Sequence, residues 1–100
     1  MKHFFSKLIP PRVTFPGDMT PAEAKLMKEH ADYWRAMVAK DRAIVLGPVM
    51  DPAGAYGIGV ICAADEAEAR AMVDADPVIK AQLGFKVELQ PMGGAIYQPR

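Results

Sequence analysis

An α+β fold of the split βαβ, ferredoxin-like type is predicted from three features of the sequence. Hydrophobic periodicity along the chain runs β, α, β, β, α, β. Only two amphipathic helices are available to cover a sheet whose strands carry apolar residues on both faces. With 100 residues, the chain makes a single domain, 1–100, and no internal repeat interrupts it. The expected architecture is an antiparallel sheet with both helices on one face.

Lys2 to Ile9 reads as the first strand, ended by Pro10 and Pro11, which cannot donate to a ladder. "PPRVTFPGDMTP" is a proline-rich loop. In "TPAE", Thr20 stands as N-cap, Pro21 as first helical residue and Glu23 three residues after the cap, a capping-box pattern that starts a helix running to about Lys40. Asp41 can take the turn that releases the chain. "AIVLGPV" (Ala43 to Val49) and "YGIGVICA" (Tyr56 to Ala63) read as two strands of a hairpin joined by the turn-rich "MDPAGA". Asp65 caps a second helix with Ala69, Met72 and Val73 inward, expected to reach as far as Asp76 before Pro77. "VIKAQLG" adds a helical turn closed by Gly84, and "FKVELQP" alternates as the fourth strand.

Phe4 and Leu8 lie on one face of the first strand, Phe5 and Ile9 on the other. The third strand likewise sets Ile58, Val60 and Cys62 against Ile61 and Ala63. Two helices cannot cover both faces, so the helix-free face is expected to pack against a second copy as a homodimer. Composition narrows the function classes. Twelve basic residues balance twelve acidic ones without long blocks, so neither a nucleic-acid nor a membrane partner is expected. No apolar run approaches the roughly 20 residues of a membrane span, no secretory signal is evident, and a lone cysteine, Cys62, fits a reducing compartment, so a cytoplasmic location is expected. Gly57 and Gly59 do not form a dinucleotide fingerprint, and His3 has no fixed-offset ligand nearby. No metal and no cofactor are expected. The two glycines are read instead as places where a ligand or a partner sheet comes close.

The chemistry centres on "KLMKEHADYWRAMV". His30 falls within the apolar stripe of Leu26, Met27, Trp34, Met37 and Val38. An imidazole aimed at a core needs a partner, since burying it unpaired costs roughly 1–3 kcal/mol. The inward side of the second helix continues to Asp76, whereas Asp74 turns outward. A carboxylate there would orient the His30 ring and fix the nitrogen that carries its proton, which is what a general acid or base requires. A satisfied core histidine and a helix-ending aspartate are the alternative readings of the same residues.

"HADYW", "AIVLGP" and "AGAYGIGVICAADEAEARAMVDADP" together resemble the YCII-related (YciI-like) family over nearly the whole chain. The resemblance implies a dimeric α/β barrel and a His and Asp active-site pair falling on His30 and Asp76. It also implies relatives acting on ring compounds. The sequence departs from the family at Lys40 and Asp41, where members commonly turn with a glycine, and in its long proline-rich loop.

Trp34, Gly47, Pro48 and Phe15 complete the expected ligand-binding set: an aromatic wall, a small-residue rim at the end of the second strand, and a side chain folding over the pocket from the loop Pro10 to Met19. The functional reading is a small cofactorless enzyme of lyase or isomerase type, with His30 and Asp76 doing acid/base work on a ring or enolisable small molecule. Two alternatives remain: a non-catalytic small-molecule-binding or accessory module, and a purely structural dimer.

Overall fold

The computed structural model describes residues 1–99. Strand β1 (Lys2–Ile9) is followed by helix α1 (Pro21–Ala39), strands β2 (Ala43–Val49) and β3 (Tyr56–Ala63), helices α2 (Glu66–Asp74) and α3 (Pro77–Lys80), and strand β4 (Lys86–Pro91). The strands form one sheet in the order β2-β3-β1-β4, with every neighbouring pair antiparallel. This is the ferredoxin-like α+β arrangement expected from the order of elements.

Register assigns the faces. Phe4 lies opposite Ile61 on β3 and Pro91 on β4; Ser6 lies opposite Gly59 and Leu89; Leu8 lies opposite Gly57 and Val87. These positions face the helices. Phe4, Ile61 and Ala63 pack with Trp34 from α1 and with Ala69, Met72 and Val73 from α2 in the main core. A second buried cluster joins Phe15, Val78 and Phe85 under Leu8, Leu26 and Met27. On the opposite face Phe5 pairs with Val60 and Lys7 with Ile58, and β4 contributes Lys86, Glu88 and Gln90. The helix-free face therefore carries Phe5, Ile58, Val60 and Cys62 on the inner strands, interrupted on β1 by His3 and Lys7, and is polar along the β4 edge.

The helix boundaries follow their caps. Thr20 accepts from the backbone N–H of Glu23 at 3.1 Å while the Glu23 carboxylate accepts from the Thr20 N–H at 2.9 Å, completing the capping box. Asp41 takes φ 60° to release the chain after α1. The second helical segment departs from expectation. Rather than continuing to Asp76, α2 stops at Asp74, Ala75 caps its C-terminus, and Asp76 adopts an extended backbone as the N-cap of α3. Pro77 is the physical reason: it restricts the residue before it to extended backbone, and its own fixed φ suits the first position of a new helix. Gly59 of β3 is also explained from within the chain. A Cβ on Gly59 would stand 2.8 Å from the Ser6 hydroxyl and 3.0 Å from Leu46, so the close approach there is made by the neighbouring strands.

The proline-rich loop is fastened by one cation. Arg12 Nε donates to both Asp18 oxygens at 2.9 Å, and its terminal nitrogens donate to both oxygens of buried Glu23 at 2.7 and 2.8 Å. Thr14 adds a hydroxyl bond to Asp18 at 2.6 Å. Glu23 thus serves the helix cap and the loop at once. Beneath this clamp Phe15 is buried with its ring edge against Phe85, the centroids 5.3 Å apart.

The Arg12 guanidinium, aided by the Thr20 backbone N–H, holds the Glu23 carboxyl at about 2, below its ordinary 4.5. A depressed folded-state value gives stability that is fully present above 4.5 and is lost as pH falls through about 2. Glu23→Gln is expected to flatten the acid-unfolding curve over that window, measured by circular dichroism. Wild-type and variant curves of equal slope there would contradict the clamp.

Candidate functional site

Helix α1 brings Met27, His30 and Trp34 to one side at spacings of three and four residues, above the sheet. Asp76 meets them from the turn between α2 and α3. Its carboxylate is almost fully occupied: Oδ1 accepts from the Val78 backbone N–H at 3.0 Å, and Oδ2 accepts from Trp34 Nε1 at 2.7 Å and contacts His30 Nδ1 at 2.6 Å. The Asp76 residue is 3% exposed. A carboxylate taken this far from water is tolerated because its lone pairs are answered by donors.

The network also fixes the imidazole. The indole and the backbone amide can only donate, so both carboxylate oxygens act as acceptors and the His30 proton belongs on Nδ1. Nε2 then carries the lone pair. No buried side-chain nitrogen or oxygen lacks a partner among the described residues, and Nε2 makes no hydrogen bond, so it must be open to its surroundings. The His30 side chain is 18% exposed. Beside it, the Tyr33 hydroxyl donates to the Met72 carbonyl at 2.7 Å, and burial, with a smaller contribution from the Asp76 charge, raises the pKa of that phenol.

His30 opens onto a cavity of about 570 Å³ between α1 and the sheet, within the range of small-molecule sites. The walls are mainly apolar. Leu8, Met27, Ile79, Phe85 and Val87 line it, with Phe15, Pro16 and Met19 from the clamped loop and Gly47 and Pro48 from the end of β2. A side chain at Gly47 would meet nothing within 4 Å, so glycine there keeps space open. All six residues singled out from the sequence, His30, Asp76, Trp34, Gly47, Pro48 and Phe15, therefore line one cavity. His3 lies elsewhere, its ring set edge-on to that of Tyr97 with the centroids 5.7 Å apart. Among the described residues, no three His, Cys, Asp or Glu side chains gather as metal ligands.

Two features went unread in the sequence. Trp34 is not only a wall: its N–H is the second side-chain donor to Asp76. The signal was present, because a buried indole N–H needs an acceptor and Trp34 stands one turn from His30 on the same face. Ser6, buried on β1 between Phe4 and Leu8, also lines the cavity. A hydroxyl at an inward strand position was its only mark.

A model of the YCII-related domain matches residues 11–93. No curated protein matches the chain.

Proposed function

The chain belongs to the YCII-related family, and on that premise we propose that it is a small cofactorless enzyme performing acid/base chemistry on a ring or enolisable compound held in the α1 cavity. One observation carries the reading: His30 Nδ1 is engaged by a buried carboxylate at 2.6 Å while Nε2 is left free at an apolar cavity. His30 and Asp76 are the proposed catalytic pair. Nε2 takes a proton from a carbon next to a carbonyl, the C–H electrons move into the forming C=C bond, and the carbonyl electrons move to oxygen to give an enolate. The imidazolium is stabilised by Asp76, which stays ionised. Return of the proton to the same carbon gives exchange, and return to another position gives isomerisation. Departure of a leaving group from the adjacent carbon gives elimination. Trp34, Phe15, Gly47 and Pro48 are proposed to bind the ring, and the apolar walls favour a substrate with a flat, poorly hydrated body.

A ring ketone such as 2-tetralone in deuterium oxide tests the proton transfer without knowledge of the natural substrate. Wild-type protein is expected to speed α-deuteration, followed by NMR, and His30→Gln to lose that acceleration by about 10²–10⁴-fold. Asp76→Asn is expected to fall between the two. Binding of the ketone with no acceleration would favour a non-catalytic binding module instead.

The second part of the proposal is a homodimer formed through the helix-free sheet face, making the two-copy barrel. Phe5, Ile58 and Val60 lie on that face in the inner strands, and Val45 on β2 is exposed beside them. Covering this surface with a second copy buries about 1,200–2,000 Å² in a typical stable interface. Light scattering is expected to return twice the 10.9 kDa chain mass, and Val60→Glu to return the monomer. A wild-type monomer at micromolar concentration would contradict the dimer.

No helix among the described residues is long and apolar enough to cross a membrane.

A further inference from the structure

We infer that the Ser6 hydroxyl is a substrate-binding group in the same cavity, and that the ligand carries a hydroxyl or carbonyl oxygen which Ser6 holds against the sheet. The inference deepens the acid/base reading of the site by naming the oxygen-bearing ring compounds it selects.

Ser6 is 7% exposed, in an otherwise apolar row of helix-facing side chains on β1 with Phe4 and Leu8 as neighbours. A buried hydroxyl of this kind ordinarily has a short hydrogen bond. Ser6 has a long one. Its hydroxyl reaches the Gly59 carbonyl at 3.4 Å, near the limit for such a bond. Alanine at this position would satisfy the packing, so a weakly bonded hydroxyl does little for the fold. It does, however, line the cavity that holds His30. The opposite strand is shaped around it, because any Cβ at Gly59 would stand 2.8 Å from the Ser6 oxygen.

Besides His30 and Ser6, the polar side chains lining the cavity are Asp76, Trp34, Tyr56 and Arg35, and Arg35 is exposed and ion-paired with Asp32 at 3.4 Å. Asp76 and the Trp34 N–H are consumed by each other and by His30. That leaves His30 on the helix side and Ser6 on the sheet side, with Tyr56, as the polar groups a ligand can meet in an otherwise mainly apolar lining. A ligand oxygen at Ser6 can accept the hydroxyl proton in place of the long Gly59 bond, or donate to the serine oxygen while that bond persists. Either exchange costs little because the bond replaced is weak. Hydrocarbons of the same shape have no such exchange to make and leave the serine unimproved.

The test compares 2-naphthol with 2-methylnaphthalene, a pair matched in shape and differing in the hydroxyl, by titrating the Trp34 indole N–H signal in NMR. Wild-type protein is expected to bind 2-naphthol at least about tenfold more tightly, a typical worth for one hydrogen bond in a dry site. Ser6→Ala is expected to bring the two affinities together, and Ser6→Cys, which keeps the volume and a weak donor, to leave a reduced preference. His30→Gln should retain the preference, because binding at Ser6 does not require proton transfer. An undiminished preference in folded Ser6→Ala or Ser6→Cys would overturn the inference, as would wild-type protein that binds both probes equally or neither. Failure of 2-tetralone exchange with this pattern intact would remove the catalytic role of His30 and leave Ser6 as a binding group.

Discussion

The site depends on a single buried carboxylate. Asp76 is removed from water, and its oxygens are answered by donors from α1 and α3: an imidazole, an indole and a backbone amide. Breaking such a group's partnerships leaves buried polar atoms unpaired, at roughly 1–3 kcal/mol each and more where charge is involved. The helices are consequently tied at this point. The same tie that secures α3 against α1 also dictates which nitrogen of His30 holds a proton.

Around that tie, the chain leaves space on the helix side of the sheet. At Gly47 no side chain enters, and Gly57 also lines the cavity without a side chain of its own. The proline-rich loop closes another side. Its position is set by Arg12, which bridges Asp18 within the loop and Glu23 at the first turn of α1. Helix start, loop and cavity wall are coupled through one glutamate, so a change to the α1 cap would be felt at Phe15 and hence at the cavity. The apolar lining supplies a low-dielectric setting in which the His30–Asp76 contact acts more strongly than it would in water.

Much of this was legible from local signals. The capping box at Thr20, the prolines after β1 and the alternation of β4 each have a mechanism that acts within a few residues, and the structure places these elements accordingly. The inward direction of His30 was likewise set by helical phase. Its distance from Asp76 was not, because phase on two helices does not fix their separation. The break after Asp74 was hidden by a pattern that continued smoothly through Ala69, Met72 and Val73 to Asp76, although Pro77 already restricted the residue before it. The Arg12 bridge was invisible for a different reason. An arginine in a loop can reach many carboxylates, and only the folded path of residues 10–19 brings Asp18 and Glu23 to it. Ser6 was obscured by its strand, where one small polar residue among Phe4 and Leu8 has no periodic signature of its own.

The central claim is that Asp76 holds the proton on His30 Nδ1 and thereby leaves Nε2 as the base. Long-range proton–nitrogen correlation NMR on 15N-labelled protein reads the tautomer of the neutral ring directly. The account requires Nδ1–H in the wild-type protein, with the preference weakened in Asp76→Asn. A neutral His30 protonated on Nε2 in the wild type would contradict it, since the lone pair would then point at the carboxylate and no base would face the cavity.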